Sequence, residues 1–378
     1  MKIGILTLPL NNNNYGCILQ NFALQTILKR YGHEVWTINR INNEIPLYRK
    51  YGSILKSVII GRKPIRGWLS KNENLIISQF TNQFIDRYIK LTEPVNNSKS
   101  LKQIQKKYSF NGFIVGSDQV WRPKYVPCIT NYFLDFISHL TGIKRIAYAA
   151  SFGVYDWEFS DEQTRQCKKL LEKFDAISVR EDSAVVLCSE YFGRKPEQLL
   201  DPTLLLTKSD YINLINQFRT DKSDGDLFTY ILDNSKRKEE IIKQLSLEYE
   251  LQPFKISTNY SQSINNYTIK NLKDYAFPPV EQWLRSFSDA KFVITDSFHG
   301  TIFSLIFNKP VAVIINKDRG ADRFNSLFSL LGINSEVGKY NNGSDIDYII
   351  INDFAKYKEK IETMKILSFD FIQKYLNY

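Results

Sequence analysis

The feature that most constrains the fold is a repeated order of short apolar segments, each followed by a polar loop and a helical segment. Residues 2–8, KIGILTL, form a continuous apolar run that is typical of a strand buried on both faces of a sheet. Residues 16–32 place apolar side chains at helical spacing, and residues 33–38, HEVWTI, predict a second strand. This order predicts a βαβ unit and therefore a parallel, doubly wound α/β sheet.

The same order continues along the chain and starts again after residue 205. Further units are predicted at residues 112–121, 145–153, 174–193, 226–250 and 291–315. The chain has 378 residues, and one core usually organises roughly 200. We therefore predict two Rossmann-like α/β domains, residues 1–205 and 206–378, and expect that the helical C-terminal segment can pack back on the first.

Between these units, residues 41–110 are less regular. Residues 72–89, NENLIISQFTNQFIDRYI, predict one amphipathic helix. The preceding segment, residues 48–71, combines basic and apolar side chains with Trp68. It is either a mobile segment that faces the acceptor or a membrane, or a solvated helical hairpin, and the hairpin is the simpler interpretation.

The charge balance restricts the possible partners. Lys and Arg number 50 against 40 Asp and Glu, which gives a formal net charge of +10. This excess favours phosphate esters, pyrophosphate-linked lipids or a membrane surface as partners, or it is a compositional drift without a function. A nucleic-acid surface would need basic residues interleaved with aromatic ones on one face. The basic residues here are mostly dispersed, so we expect no nucleic-acid partner.

Cysteine usage and the N-terminal residues indicate where the protein works. The four cysteines lie far apart without a C-x-x-C pair, which favours free thiols in a reducing compartment. The first residues, MKIGILTLPLNNN, lack a small-residue cleavage site, and no apolar run approaches the ~18 residues of a membrane span. We expect a cytoplasmic protein that touches a membrane only at its inner face.

Polar residues follow five of the predicted strands directly. Open parallel sheets bind ligands at the carboxyl ends of their strands, so these residues are the first candidates for a site. They are Asn14 and Gly16, then Ser117, Asp118 and Gln119, then Ser151, then Arg180, and finally Ser297 and His299. Their shared position across five units is a stronger signal than any one of them.

Residues 295–301, TDSFHGT, carry the most specific local signal. His299 is one of three histidines, and it precedes a predicted helix that is apolar on every face. Ser297 is a natural N-cap. The first helical turn would then hold His299, Gly300 and Thr301, where backbone N–H groups and the helix dipole favour an anion. His299 is therefore either a hydrogen-bond donor and proton carrier for a bound anion, or a histidine packed at a turn.

Three other candidates also have two interpretations each. Asn14 either caps a helix or contacts a ligand that Gly16 admits close to the backbone. Asp118 is either a general base for a sugar hydroxyl or the N-cap of the next helix. Arg180 either binds a planar anion or forms a salt bridge with Glu181 or Asp182.

Two arginines follow the next predicted strand. Arg319 and Arg323 are neighbours of His299 in topology, so one of them could complete an anion pocket, or both form a surface ion network with Asp322. We expect neither a metal nor a nicotinamide cofactor. The three histidines lie in separate segments without ligand spacing. Residues 11–17, NNNNYGC, have one glycine where a dinucleotide fold carries G-x-G-x-x-G.

Six segments occur in the order seen in one known family. They are NYGCILQNFALQ, FIVGSDQVW, YAASFG, ISVRED, LDPTLLL and SFHGTIFSLIFNKPVAVI. On these segments the chain resembles the polysaccharide pyruvyl transferase family over nearly its whole length. The resemblance implies a GT-B-like architecture, in which two Rossmann-like domains face a cleft that holds the ligand.

The resemblance also implies an activity. Such enzymes take part in the assembly of bacterial capsules and exopolysaccharides, use phosphoenolpyruvate as donor, and form a pyruvate ketal on two hydroxyls of a sugar, often one linked to a lipid pyrophosphate. The family's histidine falls on His299, and an arginine of the first domain falls on Arg180. Well-studied relatives carry Arg-Leu-His where this chain has Ser297, Phe298 and His299. The missing cation would then come from Arg319 or Arg323.

The working hypothesis is thus a pyruvyl transferase that needs no cofactor. His299 would act as acid or phosphate ligand, and Asp118 would orient or deprotonate the acceptor. Arg180 and Arg323 would neutralise the donor. The remaining candidates are Ser297, Gly300, Thr301 and Arg319 on the donor side and Asn14, Gly16, Ser117, Gln119 and Ser151 on the acceptor side. The alternatives are a GT-B glycosyltransferase that uses a nucleotide sugar and a non-catalytic glycan-binding scaffold.

Overall fold

The computed structural model describes residues 1–41, 71–256, 272–315, 321–333, 336–338 and 348–376. Their strands form two six-stranded sheets, one in each half of the chain. This arrangement confirms the predicted pair of α/β halves. The basic segment at residues 48–70 and Arg319 lie outside the described residues.

The first half contains one fully parallel sheet. Its elements are β1 (Lys2–Leu6), α1 (Tyr15–Arg30), β2 (Glu34–Thr37), α2 (Lys71–Ile77), α3 (Gln79–Tyr88), α4 (Ser98–Tyr108), β3 (Gly112–Val115), β4 (Lys144–Ala150), α5 (Asp161–Leu171), β5 (Ala176–Val179), α6 (Asp182–Leu187) and β6 (Glu197–Gln198). The strand order is β2-β1-β3-β4-β5-β6, and every pairing is parallel. The order reverses direction between β1 and β3, where such sheets leave a crevice for a ligand.

The second half repeats this plan and adds an antiparallel edge. Its elements are α7 (Lys208–Asn216), β7 (Leu227–Tyr230), α8 (Lys236–Glu248), β8 (Pro253–Phe254), α9 (Val280–Asp289), β9 (Phe292–Thr295), α10 (Phe298–Phe307), β10 (Val311–Ile314), α11 (Ala321–Leu331), β11 (Glu336–Gly338), β12 (Tyr348–Ile351) and α12 (Phe354–Leu376). The order is β11-β12-β10-β9-β7-β8, with β12 antiparallel to both of its neighbours. The reversal between β7 and β9 creates the second crevice.

Two predicted helices differ from the structure. The single helix predicted over residues 72–89 is divided into α2 and α3 at Ser78, whose ψ of 9° departs from helical geometry. Hydrogen bonds from Ser78 N to Asn74 O and from Asn82 N to Ser78 O continue across this kink. The helix predicted after Arg180 keeps α-geometry only through α6 and then widens into a π-turn over Cys188–Phe192.

The two halves contact each other through aromatic and backbone groups. The Tyr15 ring at the start of α1 stacks on Trp283 with ring centroids 5.3 Å apart, and its hydroxyl donates to Pro278 O at 2.9 Å. Helix α12 contacts the first half, because Ser368 Oγ accepts a hydrogen bond from Leu200 N at 3.3 Å. None of the described helices combines the length and the apolar character needed to span a bilayer.

Trp283 belongs both to the core of the second half and to its contact with the first, so we expect its replacement to destabilise the protein. It is fully buried, and its ring contacts Tyr15, Tyr230, Phe287 and Phe303. Trp283→Ala should lower the free energy of unfolding in urea by about 3–5 kcal/mol. Leu247→Ala is the control, since Leu247 is 71% exposed and should lose less than about 0.5 kcal/mol. Equal urea midpoints for the two variants would contradict this packing.

Candidate active site

The predicted turn at residues 295–301 is a capped helix start. Ser297 Oγ accepts a hydrogen bond from Gly300 N at 3.2 Å, which confirms Ser297 as the N-cap of α10. A Cβ atom on Gly300 would lie 2.3 Å from Thr295 Oγ1, so the tight turn requires glycine there. Thr301 is fully buried, and its hydroxyl donates to Ser297 O at 3.2 Å. Gly300 and Thr301 therefore build the turn.

One edge of the His299 imidazole packs on the first half of the chain. A Cβ atom on Gly16 would lie 2.1 Å from His299 Nδ1, so the ring rests directly on the backbone of α1. Asn14 caps that helix, because its side chain accepts from Cys17 N at 3.2 Å. The first turns of α1 and α10 thus meet through His299, which is only 7% exposed.

The other edge of the imidazole faces Asp201. His299 Nε2 lies 3.6 Å from Asp201 Oδ2, just beyond hydrogen-bond range. The other carboxylate oxygen, Oδ1, accepts from Thr203 N at 3.0 Å and from the Thr203 hydroxyl at 2.7 Å. Burial alone would raise the pKa of Asp201, but its interactions with His299, Arg180 and Thr203 hold that pKa well below its usual range. Asp201 is therefore ionised at neutral pH.

Arg180 lies at the centre of a buried ionic cluster. Its guanidinium is 2.8 Å from Asp201 Oδ2, 3.3 Å from Glu181 Oε1 and 3.6 Å from Asp118 Oδ1. Burial acts to lower the pKa of Arg180, but the charges of the three carboxylates outweigh it and raise that pKa. The salt bridge to Glu181, one of the two expected alternatives, is present. Asp182 instead accepts a hydrogen bond from the Ser326 hydroxyl.

Glu181 is a carboxylate of this cluster with only one of its two oxygens hydrogen-bonded within the described part of the chain. Its Oε1 atom accepts from Ser151 Oγ at 2.6 Å. Its Oε2 atom is buried and has no hydrogen-bond partner among the described residues. Burial raises the pKa of Glu181 above its usual value, although Arg180 and Ser151 oppose this shift. Burial therefore makes Glu181 easier to protonate than a glutamate in water.

Asp118 and its neighbours form a turn at the end of β3. Asp118 does not cap a helix, because no helix follows it among these residues and its Oδ1 accepts from Gln119 N at 2.8 Å. This alternative was wrong because Asp118 adopts a left-handed φ of 77°, which begins a turn. Ser117 is fully buried and donates to Ala149 O at 2.9 Å, and Gln119 Oε1 accepts from Arg122 at 3.3 Å.

Arg323 joins the site from the second half. The Arg323 and Arg180 guanidinium carbons lie 5.5 and 4.6 Å from the centroid of the Phe298 ring, so both cations contact one aromatic ring. Burial and the charge of Arg180 lower the pKa of Arg323 to about 10. The alternative of a surface ion network was wrong for Asp322, which is buried and accepts a hydrogen bond from the Ser183 hydroxyl.

The structure thus brings most of the predicted positions together, and it adds Asp201. That residue lies three positions after the end of β6, so it too belongs to the loop at the carboxyl end of a strand. The sequence indicated Asp201 only weakly, because β6 has just two residues and the apolar run around this strand continues past its end. Within the described residues, no group of three or more His, Cys, Asp or Glu side chains is arranged to hold a metal ion.

The cavity beside the cluster is small. Arg180, Asp201, Phe298 and Arg323 line a space of about 10 Å³, which is at the lower limit for one water molecule. The halves also meet here through the hydrogen bonds of Asp182 with Ser326 and of Ser183 with Asp322. An anion larger than water therefore has no room at this position in the described arrangement.

The ionic cluster predicts unequal effects of two conservative substitutions. Arg180→Gln leaves three carboxylates with a single nearby arginine, so we expect a loss of about 3–5 kcal/mol in the free energy of unfolding. Glu181→Gln keeps an oxygen that can accept from Ser151 and Arg180, and should cost less than about 1.5 kcal/mol. Urea denaturation followed by circular dichroism measures both. Similar losses for the two variants would contradict the central place of Arg180.

Comparisons with known proteins agree with the family expected from the sequence. Residues 14–318 match the family described as polysaccharide pyruvyl transferase. No protein of curated function matches the chain.

Among solved structures, the chain is similar to UDP-GlcNAc 2-epimerase from Methanocaldococcus jannaschii, with 12% identity, a TM-score of 0.46, and 98% of this chain and 100% of that one covered. It is also similar to MnaA of S. aureus in complex with UDP, with 13% identity, a TM-score of 0.46, and 100% and 97% covered. A third similarity is to ADP-heptose lps heptosyltransferase II of E. coli, with 12% identity, a TM-score of 0.37, and 82% and 83% covered. These scores carry no information about activity.

The family match spans most of the chain, and the protein therefore belongs to the polysaccharide pyruvyl transferase family.

Proposed function

We propose that the protein transfers the pyruvyl group of phosphoenolpyruvate to two hydroxyls of a sugar in a bacterial cell-surface polysaccharide or its lipid-linked precursor. It would act in the cytoplasm, at the inner face of the membrane when the acceptor is lipid-linked. The observation that best supports this chemistry is the pairing of Asp201 with His299 across the two halves, next to two arginines. The reaction needs a proton donor and cations at one place.

The proposed reaction joins two sugar hydroxyls to C2 of phosphoenolpyruvate and releases phosphate. A proton added to C3 of the enol gives a cationic centre at C2, and the first sugar hydroxyl forms a C–O bond there and loses its proton. The bond from C2 to the phosphate oxygen then breaks, and the second hydroxyl attacks C2 to close the ketal. Of the two hydroxyl protons, one replaces the proton spent at C3 and the other leaves with phosphate. No oxidant, reductant or cofactor enters this sequence.

His299 is the proposed proton donor to C3 or to the leaving phosphate. Its position is fixed on one edge by Gly16 and faces the ionised Asp201 on the other. A fixed carboxylate beside the imidazole orients the ring for proton transfer. Thr203 holds Asp201 in place through two hydrogen bonds, so the pair is preorganised.

Arg180 and Arg323 are the proposed ligands of the donor's carboxylate and phosphate. Arg323 contacts Phe298, the neighbour of Ser297, and so lies close to where relatives carry an arginine. Arg180 is already surrounded by carboxylates, so an entering anion requires that negative charge be removed. Protonation of Glu181, whose pKa burial raises, would provide this. The contacts of Asp182 and Ser183 with α11 would open to admit the donor.

The acceptor-side candidates divide into two groups. Asn14 is exposed at the start of α1 and can contact a sugar, and Asp118 is the proposed base or orienting group for its hydroxyl. Ser117 and Ser151 are fully buried. Ser151 donates to Glu181, and Ser117 donates to Ala149 O and, at 3.5 Å, to Asp201 Oδ2. We assign these two serines to the support of the carboxylates rather than to contact with the acceptor.

Substitution of His299 should abolish the chemistry while leaving the fold. With phosphoenolpyruvate and a panel of bacterial glycolipids, His299→Ala should reduce acceptor-dependent phosphate release by about 10²–10⁴-fold, the usual contribution of a general acid. His139→Ala is the matched control, since His139 is exposed and belongs to a different segment. Phosphate release by His299→Ala at the wild-type rate would contradict the role assigned to His299.

Thermal unfolding of the wild-type protein separates the donor classes. Phosphoenolpyruvate should raise the unfolding temperature, and nucleotide sugars should not. Stabilisation by a nucleotide sugar alone would favour the glycosyltransferase, and stabilisation by neither, without turnover of any donor, would favour a glycan-binding scaffold.

A further inference from the structure

A second, larger pocket lies away from the ionic cluster. It has a volume of about 480 Å³, within the range of about 300–1,000 Å³ for small-molecule sites. It is formed by the C-terminal end of α10, the turn that leads into α7, and the first half of α12. His299 lies near the start of α10, and a helix of ten residues is about 15 Å long. The pocket is therefore at the opposite end of that helix from the site.

The walls of this pocket are largely apolar. The apolar part consists of Leu204, Leu206, Leu305, Ile306, Phe354 and Ile361, and Thr207 and Asn308 add two polar side chains to the lining. Leucine, isoleucine and phenylalanine side chains offer no hydrogen bonds, so the part of a ligand that fills this space is apolar as well. A free sugar or an inorganic anion alone does not match such a lining.

The rim of the pocket is positively charged. Lys208, Lys358 and Lys365 line it, and the acidic side chain among the lining residues, Glu362, is engaged by Lys365 at 3.0 Å. An apolar cavity with a cationic rim fits a ligand that has an apolar chain and an anionic head group.

The surface next to the pocket points to the source of such a ligand. Ile366 lies one helical turn after the lining residue Glu362 on α12 and is 60% exposed. Exposed apolar side chains beside a cluster of lysines are the combination that adsorbs to the interface of an anionic membrane.

We infer that this pocket binds the phosphate-bearing end of a membrane lipid, with the first part of its chain among the apolar side chains and its head group at Lys208 and Lys358. The inference goes beyond the proposed function, because it involves neither the donor nor His299. Its failure and the failure of the transferase chemistry are therefore separate results.

Calorimetric titration with dodecyl phosphate, kept below its critical micelle concentration, tests the pocket directly. The wild-type protein should bind one molecule, whereas inorganic phosphate and dodecyl maltoside, which carry only the charge or only the chain, should bind at least about tenfold more weakly. Lys208→Gln combined with Lys358→Gln should weaken binding of dodecyl phosphate by about 2- to 30-fold.

A pair of tryptophan substitutions on one helix provides the matched control. Ala355 is exposed and lines the pocket, so Ala355→Trp should fill it without disturbing the core and weaken binding at least tenfold. Thr363 is exposed on the same helix and lies outside the lining, so Thr363→Trp should bind dodecyl phosphate like the wild type. Absence of binding to the wild type, or equal binding by the two variants, would overturn the inference.

Sedimentation with phosphatidylglycerol vesicles then identifies the source. Weaker vesicle binding by Ala355→Trp than by Thr363→Trp supports a membrane lipid as the ligand. Equal vesicle binding by the two variants would overturn the membrane source and leave a free amphiphilic phosphate as the ligand.

Discussion

The structure depends on one buried arginine that three carboxylates surround. Transfer of Arg180 and its partners from water costs several kcal/mol per ion, and only close pairing and additional hydrogen bonds recover that cost. Thr203 and Ser151 supply these bonds to Asp201 and Glu181. The loops after β3, β4, β5 and β6 therefore converge on one guanidinium, and the first sheet presents a fixed negative charge at its carboxyl edge.

Two side chains of the second half, a histidine and an arginine, lie next to this negative charge. His299 approaches Asp201 because Gly16 has no side chain, and Arg323 shares the Phe298 ring with Arg180. Neither half contains the complete site. This division accounts for the small cavity, since closure of the halves brings the groups together and also excludes water from them. It also makes the proposed donor entry depend on separation of the halves.

The sequence best predicted those features that depend on residues close together in the chain. Buried strands such as β9 are continuous apolar runs, and Ser297 before an apolar helix is a cap, so both were predictable. Asp201 was missed because its importance comes from contacts with Arg180 and His299, 21 and 98 residues away in the sequence. The kink at Ser78 and the antiparallel β12 likewise follow from tertiary packing, which no local pattern encodes.

The central claim is that Asp201 and His299 act as one unit across the halves. A double-mutant cycle with Asp201→Asn, His299→Gln and the combined variant tests it through the rate of acceptor-dependent phosphate release. Because residues that act as a unit are strongly non-additive, the double variant should be about as slow as His299→Gln alone. Losses that multiply in the double variant would show that the two side chains act independently and would contradict the account.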